Sequence, residues 1–62
     1  MTDRERLREA LEHEEIAINL YRKFAREGED QRLQEMFEQF ALNESWHAAA
    51  IRAKLDLLGG AK

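Results

Sequence analysis

The chain has no cysteine and no proline, only three glycines, and no apolar run near the roughly 20 residues needed to cross a bilayer. Without cysteine there is no disulfide, no thiolate metal site and no thiol nucleophile. Without proline, no helix is broken from within. Basic residues are also in deficit: 10 Lys and Arg face 13 Asp and Glu, for a formal net charge of −3. The basic excess of a nucleic-acid binder is therefore missing. The opening residues Met1-Thr2-Asp3-Arg4-Glu5 lack the apolar stretch of a secretory signal, so a cytoplasmic location and no membrane partner are expected. At 62 residues the chain is expected to form one domain, 1–62, whose core is marginal by itself. With disulfides excluded, the remaining supports are a metal held by oxygen and nitrogen ligands, a partner chain, or both.

What is present suits helices. Charged residues make up 37% and hydrophobic residues 44%, too apolar for a disordered chain. Between Thr2 and Glu27 no glycine interrupts, and Leu7, Leu11, Ile18, Tyr21 and Ala25 share one helical stripe. Thr2 and Glu5 read as a capping box, and Gly28 as the residue just past the end, which predicts a helix over about 3–27. Asp30 suits the N-cap of a second helix over about 31–58, with a stripe at Leu33, Phe37, Phe40, Ile51, Leu55 and Leu58 and a stop at Gly59-Gly60. A turn at 28–30 is too short for anything but reversal, so the expected fold is an all-α antiparallel two-helix hairpin. Such a hairpin has a single seam. Leu42, Trp46, Ala49, Ala50, Ala53 and Leu57, with Ile16 and Leu20, lie beyond it. Exposed apolar surface of this extent marks interfaces, so the hairpin is expected to dimerise into a four-helix bundle and to associate further.

Both stripes are interrupted by polar residues. Glu14 stands between Leu11 and Ile18, and Glu44 and His47 stand between Phe40 and Ile51. Carboxylates in an apolar seam are costly unless paired, protonated or bound to metal. Glu14 and Glu44 each lie fifteen residues from Glu29 at the turn, at one level of the hairpin, and His47 shares the face of Glu44 one turn on. Two carboxylates and one imidazole are too few to enclose two metal ions. A twofold axis doubles them to four Glu and two His, the ligand set of a di-iron carboxylate site. Fe is the metal this set suggests, two per dimer; Mn or Zn would also accept it. A rival reading makes the same three residues a hydrogen-bonded polar layer that sets register in a non-catalytic helical dimerisation module. Convergence from both helices at one height favours the metal. His13 falls off the stripe, while Glu15 reads as a solvated residue or an aid to iron entry.

Glu14, Tyr21 seven residues on, and Glu44-Ser45-Trp46-His47 together resemble half of a rubrerythrin-type ferritin-like domain. Their placement on one short hairpin is similar to the encapsulated ferritins, in which two chains build each iron site. The resemblance spans roughly Leu11 to Leu58. It implies Glu14 as a terminal or bridging ligand, Glu44 as a bridging ligand, His47 as a terminal ligand, and Tyr21 as a hydrogen-bond donor to a ligating carboxylate. It further implies ferroxidase activity, in which Fe(II) is oxidised by O2 or peroxide for iron storage or detoxification. The implied partners are a second copy and an encapsulating shell protein. The chain departs from its relatives in three respects. It has no cysteines for a rubredoxin-like centre. Gly59-Gly60-Ala61-Lys62 does not read as an extended shell-docking peptide, and no length remains for the extra helix of encapsulated ferritins.

Overall fold

The computed structural model describes residues 1–59. Two helices, α1 (Asp3–Glu27) and α2 (Gln31–Gly59), lie antiparallel, and no strand occurs among the described residues. The hairpin is a rod of 44 × 18 × 15 Å. The stop read at Gly59-Gly60 falls partly on Gly60, which with Ala61 and Lys62 lies outside the described residues; α2 continues through Gly59.

Local chemistry sets both helix starts. The Thr2 hydroxyl accepts from the Glu5 amide at 3.1 Å, and the Glu5 carboxylate accepts from the Thr2 amide at 2.7 Å, closing the capping box. The Asp30 carboxylate accepts from the amides of Arg32 at 2.8 Å and Leu33 at 3.2 Å. Gly28 ends α1 without using glycine's left-handed freedom: φ is −65° and ψ is 148°, which is extended backbone. Its amide donates to the Phe24 carbonyl at 2.8 Å, and a Cβ here would sit 3.1 Å from that oxygen. Close approach, rather than a positive φ, is what glycine allows at this position. The Gln34 side-chain amide donates to the Gly28 carbonyl and secures the turn.

The seam of α2 differs from the one expected. Phe37, Glu44, Ile51 and Leu55 do face α1, but they are joined there by Gln34, Ala41, Ser45 and Ala48, while Leu33, Phe40, His47 and Leu58 are exposed. The helix is turned by a fraction of a residue because small side chains let two axes approach closely. Ala41 and Ala48 occupy the line of contact and the bulkier residues straddle it. Among the described residues, only Ile18, Ala41 and Ala48 are buried.

The hairpin therefore has two unlike edges. Along one, polar groups lace the helices: Arg4 donates to the Leu58 carbonyl at 3.1 Å, and Arg52 donates to Glu15 at 2.6 Å. Along the other run Glu14, Glu44, His47 and an aromatic cluster. Tyr21 stacks on Phe37 with centroids 6.0 Å apart and meets Phe40 edge-on at 5.4 Å, while Phe24 meets Phe37 edge-on at 5.2 Å. Leu20, Phe24, Leu33, Met36, Phe40 and Leu58 are exposed.

Candidate metal centre

The middle of α1 supplies Glu14, and the facing stretch of α2 supplies Glu44 and His47. A spacing of three along α2 puts the last two on one face, and the tight turn brings Glu14 level with them. One ligand atom from each of the three lies within 4.8 Å of the others. His47 Nδ1 is 3.0 Å from Glu44 Oε1 and 3.7 Å from Glu14 Oε1.

Burial grades across the cluster. The Glu14 and Glu44 side chains are each 25% exposed, whereas that of His47 is 62% exposed. The sequence places all three in a core. In the single hairpin they instead form the rim of one, since a seam two helices wide covers only one side of each residue. Glu14 Oε1 is sealed from solvent and has no hydrogen-bond donor among the described residues. A sealed carboxylate oxygen without a donor is an acceptor placed where a cation can satisfy it. Two carboxylates and an imidazole form the hard and borderline donor set that accepts Fe, Mn or Zn.

Proton sharing links the two acids. Hydrogen bonding to Glu44, then burial, raises Glu14 above the ordinary glutamate range. The same hydrogen bond, together with that to His47, lowers Glu44. Of the two, Glu14 therefore takes a proton more readily than an ordinary glutamate and Glu44 less readily.

The remaining candidates sit apart. Tyr21 belongs to the aromatic cluster, and its hydroxyl has no hydrogen-bond partner among the described residues. Within one hairpin it does not reach a carboxylate. His13 is exposed, 4.0 Å from Glu9. Glu15 points to the laced edge and pairs with Arg52, away from the cluster. Arg52 did not stand out in the sequence. Side chains lean toward their own helix N-terminus, so in antiparallel helices Arg52 reaches toward the turn and Glu15 away from it, across a large offset in level. Only the rotation of α2 makes that pair legible.

No curated protein and no solved structure matches the chain. The rubrerythrin family model matches residues 5–62, a span that includes every member of the cluster. With that match over nearly the whole chain, and with two glutamates and a histidine gathered between its helices, the chain belongs to the rubrerythrin family of the ferritin-like superfamily.

Proposed function

We propose that two copies pair across the aromatic edge and together enclose a di-iron site made of Glu14, Glu44 and His47 from each, which oxidises Fe(II). The observation that carries this reading is the position of the cluster: three donors within 4.8 Å on the edge whose apolar side chains lack cover. One hairpin supplies half a site. Four carboxylates and two imidazoles complete it and balance much of the charge of two divalent ions. Membership of a family that typically binds iron supports the choice of metal. The same ligands suit Mn or Zn, and metal analysis of the purified protein separates these occupants.

Iron is the substrate in this account. Two Fe(II) each give up one electron; O2 takes the pair with two protons to become hydrogen peroxide, or peroxide takes it with two protons to become two waters. The chain's own residues prepare the place. Glu14, which holds a proton more tightly than an ordinary glutamate, gives it up to bind the cation, and Glu44 ionises more readily. His47 offers a ring nitrogen from the exposed side, the side a second hairpin covers. Phe24, Phe37 and Phe40 exclude water toward the turn. The Tyr21 hydroxyl, without a partner among the described residues, is placed to donate to a carboxylate of the opposite chain.

The test is Fe(II) oxidation followed by absorbance in the wild type and in Glu14→Ala, Glu44→Ala and His47→Ala. Each variant is expected to lose at least about tenfold in rate, because each removes two of six ligands from a symmetric site. Wild-type rates in all three would overturn the assignment.

A further inference from the structure

We propose that the back of α2 is a second self-association surface, on which Leu42, Trp46, Ala49, Ala50, Ala53 and Leu57 pair with the same residues of another copy about a twofold axis. Its three large members are all exposed: Leu57 by 79%, Trp46 by 61% and Leu42 by 45%. The alanines are exposed as well. The spacing 42, 46, 49, 53, 57 makes one stripe along the helix. It lies across α2 from Leu33, Phe40, His47 and Leu58, so covering the metal-bearing edge leaves it open.

The order of residues argues for a second copy as the occupant. About the point midway between Ala49 and Ala50 the stripe is symmetric in position: Leu42 and Leu57 are equidistant from it, as are Trp46 and Ala53. Antiparallel pairing on a twofold axis through that point sets Leu42 against the second copy's Leu57 and Trp46 against the second copy's Ala53. Each indole then meets a methyl rather than another indole, and the small residues at the centre let the helix axes close to about 8–10 Å. An isologous interface requires this kind of self-complementarity. Six such residues per copy bury an area on the order of the 1,000 Å² in total at the lower edge of specific interfaces. That suffices between bodies already joined elsewhere. The rim of the stripe is mixed, with Glu38 and Asp56 beside Lys54, and lacks the basic excess that an anionic membrane surface selects.

A chain without cysteine lends itself to a direct test. Ala50→Cys places one thiol beside the proposed axis, and Glu12→Cys serves as an exposed control on α1. Under mild oxidation Ala50→Cys is expected to form the self-linked species at least tenfold faster than the control. Leu42→Cys is expected to link to Leu57→Cys when the two proteins are mixed and not to itself, since the two positions lie about 22 Å apart along the helix. Sedimentation velocity on the full chain should show Ala53→Glu falling to half the wild-type mass with helicity unchanged. Equal linking rates at positions 50 and 12, self-linking at position 42, or an unchanged mass for Ala53→Glu would each overturn the proposal. Repeating the linking in Glu44→Ala separates this surface from the iron reading, because the back of α2 needs no metal and should link at the wild-type rate.

Discussion

At the scale of single residues, the behaviour of the cluster follows from the opposed shifts of Glu14 and Glu44. Because Glu14 is raised, its contribution to apo stability is present below the ordinary glutamate value near 4.5 and is lost as pH rises through its own higher value. Because Glu44 is lowered, its contribution is present above that value and is lost as pH falls through its own lower one. The pair therefore favours the metal-free fold most in mild acid around 4.5, with one proton shared. Above that window the two carboxylates repel, and a divalent cation relieves them. Metal binding is thus expected to strengthen with rising pH and to release protons. Calorimetry with Co(II) or anaerobic Fe(II) in buffers of differing ionisation enthalpy checks this. Proton release should fall in Glu14→Gln, and unchanged release in that variant would place the proton elsewhere. The residues of this cluster were legible in the sequence because they are polar where the stripe is apolar. Their exposure was not, since it depends on what lies on the far side of the seam.

At the scale of the helices, the caps and the turn were readable because each is decided within a few residues: Thr2 with Glu5, Asp30 with the amides that follow it. The rotation of α2 was not readable. A stripe of bulky residues marks an apolar side of a helix, but contact with α1 is decided by which line of residues allows the closest approach, and Ala41 and Ala48 provide that line. Ala48 has no exposure at all. Ala48→Leu is accordingly expected to cost about 1–3 kcal/mol by overpacking the seam. Leu at Ala50, on the outer surface, should leave the hairpin's own packing unchanged. Chemical denaturation of the two variants distinguishes the observed rotation from the stripe through Leu33, Phe40 and His47, under which position 48 would tolerate the larger side chain. The Glu15–Arg52 pair carries little stability beside this, since both side chains are about half exposed.

At the scale of the whole molecule, three buried residues among those described are a small core for a two-helix chain. Among the described residues eleven large apolar side chains are exposed, many of them along the edge that carries the cluster. Under the proposed pairing of two hairpins, the unfolding midpoint of the metal-free protein is expected to rise with protein concentration. A midpoint constant over a hundredfold range would mean that the hairpin stands alone. Among the described residues no helix is long and apolar enough to cross a membrane.

Sharing of the site between chains is tested most directly by native mass spectrometry after anaerobic addition of Fe(II), which reads chain count and metal count in one spectrum. The expected result is an even number of chains carrying two irons for every two, with the iron absent in Glu44→Ala. Iron bound to single chains, or even-numbered assemblies that stay metal-free, would contradict a di-iron centre built from two hairpins.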